Sequence, residues 1–236
     1  MRRLLVCEDE DSIREFVVIN LQRVGYEVVD VNSGEEALRV FEEQDGKFDV
    51  ALLDIMMPGI DGFQVCKKLR EKTQALGIIM LSAKSQEMDK VSSLMMGADD
   101  YITKPFSISE LIARVDAVCR RVDMAQPKQE EEATTITSGP FTLNLRSRTV
   151  YKNDKQIDLT QVEYQIMEYF FKNQNTALDR TSILNQIWGD SYFGEDKIVD
   201  VNIRRIRMKI EDEPSNPKYI QTIWGFGYKW VAANEK

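Results

Sequence analysis

Short apolar runs alternate with amphipathic stretches over the first half of the chain. Runs at 3–7, 27–31, 50–54, 77–81 and 101–103 read as strands. The stretch 48–53 has lost its polar alternation, as a strand covered on both faces does. Helical spacing falls between them at about 11–24, 33–43, 62–71 and 88–96, with a last helix over 107–121. Ser33 with Glu36 and Ser107 with Glu110 carry the capping pattern of helix starts. Five βα repeats in about 120 residues predict an α/β fold with a doubly wound parallel sheet.

The second half reads differently. Strand-like segments come first, at 141–145, 149–152 and 156–159. Helical patterns follow at 160–173, 180–188 and 197–209, the first opened by Thr160 with Glu163. A hairpin over 219–224 and 228–231 turns at Gly225-Phe226-Gly227. Strands, two helices, a basic helix and a hairpin outline an α+β winged helix-turn-helix domain. Between the halves, DMAQPKQEEEATTITS has linker composition. The expected division is therefore 1–122, a linker at 123–138, and 139–236.

Charge sharpens this division. Of the net −8, residues 1–122 hold −6 and the linker −3, while 139–236 hold +1. Lys197 to Lys209 carries five cations against Asp200 alone. No apolar run spans a bilayer and no signal peptide is evident, so a cytoplasmic location without membrane contact is expected. Cys7, Cys66 and Cys119 lack metal or CxxC spacing and read as reduced core thiols. The chain has no histidine, which excludes Ser-His-Asp, Cys-His and His-ligated zinc chemistry. Carboxylates, hydroxyls, lysines and a hard metal remain.

In an open α/β sheet, ligands bind at the carboxyl ends of the strands. Asp54 ends the third strand; a helix cap or a salt-bridge partner is the bland reading of it alone. Glu8 and Asp9 follow the first strand, which should neighbour the third. Three carboxylates this close repel unless a cation sits among them, and Mg²⁺ with oxygen ligands meets that need. Ser82 at the end of the fourth strand and Lys104 at the end of the fifth should project to the same rim. A hydroxyl and an ammonium facing a metal-bound carboxylate make a phosphoryl-binding arrangement with Asp54 as nucleophile. Lys104-Pro105 is a candidate cis peptide.

The acidic pair Glu8/Asp9, then LLDIMMPGIDG, LSAK, GADDY and TKPF, occur in order and at suitable separations. On these motifs residues 1–122 resemble response-regulator receiver domains, which implies the flavodoxin-like strand order 2-1-3-4-5. The resemblance implies Asp54 as phosphoacceptor, with Asp9, Asp54 and the Met56 backbone carbonyl as Mg²⁺ ligands and Glu8 reaching the ion through water. It further implies Ser82 and Tyr101 as a switch pair, and Lys104 on the phosphoryl oxygens. Glu8 stands where aspartate is commoner, keeping the charge on a longer stem. Lys90, Asp99, Asp100, Glu110, Arg114 and Arg121 become candidates for a homodimer interface formed on phosphorylation. Lys90–Glu110 and Asp100–Arg114 would cross between subunits; a solvated surface is the alternative.

Likewise LTQVEYQIMEYF, RTSILNQIWG, VDVNIRRIRMKI and QTIWGFGYKW resemble the OmpR/PhoB winged-helix class. That implies double-stranded promoter DNA as partner. Arg205 becomes the candidate for a base edge, with Asn202 facing the groove. Trp188, Lys197 and Arg204 are expected at phosphates, and Arg207 there or in a structural ion pair. The loop 189–196 becomes the candidate contact with RNA polymerase. Many members carry arginine before the first wing glycine; here Trp224 occupies that place, expected to pack under the hairpin, with Lys229 taking phosphate instead. The whole reads as a two-component transcription regulator rather than an enzyme, phosphorylated by a sensor histidine kinase and binding tandem half-sites. A phosphorylation-independent DNA binder is the alternative, ahead of a Mg²⁺-dependent phosphotransferase.

Overall fold

The structure is a computed structural model describing residues 2–83, 96–123, 135–189, 192 and 196–231. The chain divides into two compact units, Met1–Val122 and Asp123–Lys236. The first holds β1 (Arg3–Cys7), α1 (Asp11–Arg23), β2 (Glu27–Val31), α2 (Gly34–Glu43), β3 (Val50–Asp54), α3 (Gly62–Lys72), β4 (Gly77–Ala83), β5 (Asp100–Lys104) and α4 (Ile108–Asp123). All five strands are parallel in the order β2-β1-β3-β4-β5. The helix expected at 88–96 lies almost wholly outside the described residues.

Every residue of β3 is buried, which is why the sequence there shows no alternation. Leu4, Leu52, Ile79 and Ile102 form one core with Val17 and Leu21 of α1 and Leu111 and Val115 of α4. Ser33 Oγ accepts from the Glu36 N–H at 3.4 Å, and Ser107 Oγ from the Glu110 N–H at 3.2 Å, as the caps predict. The loop after β3 turns back sharply. A Cβ on Gly62 would lie 2.1 Å from the Asp54 carbonyl oxygen, so only glycine lets α3 start against the end of β3.

The second unit contains a four-stranded antiparallel sheet, β6 (Thr135–Ser138), β7 (Phe141–Asn144), β8 (Thr149–Lys152) and β9 (Lys155–Ile157). Then come α5 (Gln161–Lys172), β10 (Ala177–Asp179), α6 (Arg180–Trp188), α7 (Lys197–Ile210), β11 (Ile220–Ile223) and β12 (Gly227–Trp230). The last three strands pair antiparallel as β10-β12-β11. Among the described residues no helix is long and apolar enough to cross a membrane.

Two strands correct the sequence reading. The segment expected as linker ends in β6, which pairs with β7 from Thr135↔Asn144 to Ser138↔Phe141. Three threonines and serines in four residues look like linker, but Ser138 is buried and bonded. Its Oγ accepts from Trp230 Nε1 at 2.8 Å and donates to Gln174 Oε1 at 3.0 Å. The Trp230 ring packs on Phe171 (4.8 Å between centroids) and Phe141 (5.2 Å). β10 is too short to show a period; Gly227 marks it, because a Cβ there would sit 2.1 Å from the Leu178 carbonyl oxygen.

All three tryptophans lie in the second unit, so their fluorescence reports its unfolding. Ser138→Ala leaves the buried indole N–H without its acceptor. It should cost about 1–3 kcal/mol in denaturant unfolding followed by that fluorescence; an unchanged midpoint would mean β6 adds nothing.

Candidate functional site

The parallel sheet delivers its carboxyl ends to one rim. Glu8 follows β1, fixed by its N–H to the Val31 carbonyl at 3.2 Å. Asp54 closes β3, and Ser82 and Lys104 lie at the ends of β4 and β5. Ligand oxygens of Glu8, Asp9 and Asp54 all lie within 4.8 Å of one another. Lys104 Nζ donates to both Glu8 oxygens, at 2.9 and 2.7 Å, and to Asp54 Oδ2 at 3.0 Å. The Lys104-Pro105 bond is cis.

Three carboxylates thus face one ammonium. Burial pushes the Glu8 carboxyl up to about 7, against the Lys104 hydrogen bond, with Asp54 adding repulsion. Burial opposes the charge of Lys104 too, but its bonds to Glu8 and Asp54 outweigh it and hold its pKa above the ordinary value. The Cys7 thiol beneath the pocket is pushed up to about 12, first by burial and then by Asp54 and Glu8, so it stays an inert core thiol. The donor set is hard oxygen, with one cation short of balancing it. That fits a divalent ion of the Mg²⁺ kind. Met56 lies at the solvent side, its side chain 71% exposed and its N–H 3.4 Å from Asp54 Oδ1.

Ser82 and Tyr101 are both buried. Ser82 pairs with Thr103, and Tyr101 lies two residues earlier on the same strand face. The proposed interface charges are satisfied differently from the expectation. Asp100 and Arg114 are buried and pair within one chain at 3.0 Å, with Glu110 on Arg114 at 2.9 Å. Asp99 is bound by Arg70 of α3 at 2.7 Å and by the Ile78 N–H at 2.8 Å. A carboxylate this deep needs a cation as soon as the chain folds, before any partner arrives. Lys90 and the Arg121 side chain lie outside the described residues.

On α7 the structure sorts the cations. Lys197 and Arg204 are exposed. Arg205 is buried, 3.0 Å from Glu163 Oε1, so it is not available to a base edge. Glu163 is the capping-box residue of α5: its Oε2 accepts from the Thr160 N–H at 2.8 Å and from Lys209 Nζ at 2.7 Å. Burial opposes that charge, yet Arg205 and Lys209 outweigh it and hold the Glu163 carboxyl below its ordinary value. Asn202 is fully buried and turned inward, donating to the Ile198 carbonyl at 2.8 Å. Arg207 is turned to the wing rather than outward to a phosphate. It donates to the Ile220 carbonyl at 2.6 Å and to Thr222 Oγ1 at 2.9 Å, tying α7 to the hairpin.

Two tryptophans exchange their expected places. Trp188 is buried in the core of its unit, not at a phosphate. Trp224 does not pack under the hairpin but stands 92% exposed at its tip. Lys229 is half-buried on β12, opposite Gln221. Of the loop expected to meet RNA polymerase, residues 190, 191 and 193–195 lie outside the described residues. Sequence reasoning missed Arg70 and saw Glu163 only as a helix cap, because their ion pairs depend on contacts between distant elements.

Residues 4–116 match the family described as "Response regulator receiver domain", and residues 154–230 match "Transcriptional regulatory protein, C terminal". The chain is similar to DrrB, described as a Thermotoga maritima OmpR/PhoB homolog. The identity is 31% over 98% of this chain and 99% of that chain, with a TM-score of 0.50. A mutant of RitR shares 28% identity over 98% and 99% of the two chains, with a TM-score of 0.74.

Truncating a buried ion pair isolates its partner charge. Arg114→Ala and Arg205→Ala should each cost about 3–5 kcal/mol in unfolding of the full chain. Arg204→Ala should leave stability within about 0.5 kcal/mol while reducing the salt dependence of DNA binding by about one released counterion. Equal behaviour of Arg204→Ala and Arg205→Ala in both assays would refute this sorting.

Proposed function

Because the chain belongs to the OmpR/PhoB response regulators, a receiver followed by a DNA-binding regulatory domain, we propose that it is a transcription regulator switched by phosphorylation of Asp54. The supporting observation is the rim of Glu8, Asp9, Asp54 and Lys104 in the same chain as the basic helix α7. The donor of the phosphoryl group is a sensor histidine kinase. An Asp54 carboxylate oxygen attacks phosphorus, the phosphorus–nitrogen bond of the kinase phosphohistidine breaks, and its electron pair returns to the imidazole.

Glu8, Asp9, Asp54 and the Met56 carbonyl would hold Mg²⁺, which when bound neutralises charge on the phosphoryl oxygens. Lys104 is the mobile counter-charge. It leaves its Glu8 and Asp54 bonds for the phosphoryl oxygens, which add about −1.5 to −2 of charge. Ser82 supplies a hydroxyl at the same rim, and with Tyr101 on the neighbouring strand reports the change to the β4-β5-α4 face. The receiver then pairs as a symmetric dimer. Since Asp99, Asp100 and Arg114 already have partners within the chain, new surface rather than new charge pairing drives that step. Two linked DNA-binding domains raise their local concentration at tandem promoter half-sites, where RNA polymerase is the further partner.

Acetyl phosphate should add one phosphoryl mass to the full chain, and beryllofluoride should shift it to a dimer in light scattering. Asp54→Asn should lose both. Retained dimerisation and unchanged promoter binding in Asp54→Asn would sink the phosphorylation switch and leave a phosphorylation-independent DNA binder.

A further inference from the structure

The helix that follows the acidic pair begins without a side-chain cap. Glu10 at the N-cap of α1 makes no such bond; its Oε1 accepts instead from Ser12 Oγ at 2.7 Å. An uncapped helix start is weakly held, because its first N–H groups lack acceptors. Asp9 sits in this stretch, one residue before the N-cap, and is exposed. Lys104 bonds Glu8 and Asp54, not Asp9. Repulsion from the other two carboxylates favours swinging Asp9 out into water. Yet its ligand oxygen lies within 4.8 Å of theirs.

Arg14 supplies a restraint where the cap is missing. It is the fourth residue of α1, and helical side chains lean back toward the N-terminus. Its Nη1 donates to the Glu8 carbonyl at 2.9 Å, its Nη2 bonds the Asp11 carboxylate, and its Nε pairs with Asp30 of β2 at 3.3 Å. The Glu8 N–H is already bound to the carbonyl of Val31, the last residue of β2. Both backbone groups of Glu8 are thus anchored to β2, one directly and one through Arg14. The Glu8 carbonyl belongs to the peptide that leads into Asp9, so fixing it fixes the direction in which Asp9 leaves the strand. A planar guanidinium reaches a carbonyl and two carboxylates at once; an ammonium has no such fork.

We propose that Arg14 is a positioning residue for the divalent-ion site: it holds the Glu8–Asp9 peptide so that the Asp9 carboxylate is in place before the ion arrives. Mg²⁺ demands near-octahedral ligands at about 2.0–2.1 Å. An acid that must first be drawn in against repulsion therefore binds it more weakly than one already held. Residues that orient metal ligands from outside typically carry about 10–100-fold of the affinity. Charge and position act in opposite senses at Arg14. It is a cation beside a site for a cation, so by charge alone its removal strengthens Mg²⁺ binding. By position its removal weakens that binding, and the sign of the change decides between them.

This inference rests on the reading of the rim as a Mg²⁺ site, and the test separates the two. The full chain is titrated with magnesium chloride by calorimetry. Thermal unfolding in a chelator, followed by circular dichroism, reports the stability of each variant without metal. If the unaltered chain binds no Mg²⁺, the metal reading fails and the inference with it. Given that binding, Arg14→Ala should weaken it about tenfold. Arg14→Lys keeps the charge and loses the fork, so it should weaken binding in the same direction by a smaller factor. Should Arg14→Ala fail to fold, Arg14→Lys carries the test alone, since a role through charge leaves its Mg²⁺ affinity unchanged. Tighter or unchanged Mg²⁺ binding in the folded Arg14 variants, whatever their melting points in the chelator, overturns the proposal and leaves the Mg²⁺ site standing.

Discussion

Five of the six buried acids among the described residues are tied to a cation from another element, while the sixth, Glu211, accepts from the backbone N–H groups of Lys218, Tyr219 and Ile220. Glu8 and Asp54 share Lys104, Asp99 takes Arg70, Asp100 takes Arg114, and Glu163 takes Arg205 and Lys209. The constraint is desolvation. A lone carboxylate in the interior costs several kcal/mol, recovered only when a cation arrives in good geometry. Such pairs therefore locate elements more than they stabilise them. Arg70 brings α3 to the start of β4 and the turn before β5, donating also to the Leu76 carbonyl at 2.5 Å and the Gly97 carbonyl at 2.8 Å. Arg114 does the same for α4 and β5.

The receiver pocket gathers three carboxylates against a single ammonium. Lys104 serves two carboxylates at once while Asp9 stays exposed. An arrangement with a deficit of positive charge responds to whatever cation or phosphoryl group arrives.

The pocket was legible in the sequence because strand ends are set by a strong signal. The apolar run 50–53 stops at Asp54, and the repeating βα pattern fixes which ends share a rim. The orientation of the α7 side chains was less legible, since charge type alone does not give helix phase. On α7 the positions 198, 202, 205 and 209 fall on one stripe, and Ile198 marks that stripe as inward. Arg205 and Asn202 therefore follow Ile198 into the core, where Glu163 meets the arginine. That partner lies across the domain on α5, beyond the reach of a local pattern. β6 and β10 escaped for a related reason: four and three residues carry no period, and their evidence lies in Trp230 and Gly227, far along the chain. Trp188 and Trp224 show the same limit, since an aromatic residue is equally at home in a core and at an interface.

Glu163 also explains why the surface of α7 is what it is. As the third residue of the α5 capping box it cannot leave the helix start without freeing the Thr160 N–H. Its second oxygen then fixes Arg205, so the rotation of α7 about its axis is set by the core. The five cations between Lys197 and Lys209 divide accordingly: Arg205 and Lys209 are drawn to Glu163, Arg207 is spent on the wing carbonyl, and Lys197 and Arg204 remain on the outer stripe. The outward face of α7 is thus selected by a buried acid. Since Arg207 fixes the hairpin to the same helix, the hairpin is carried at a constant offset from the outer cations, and their relative geometry is built into the core rather than assembled at the surface.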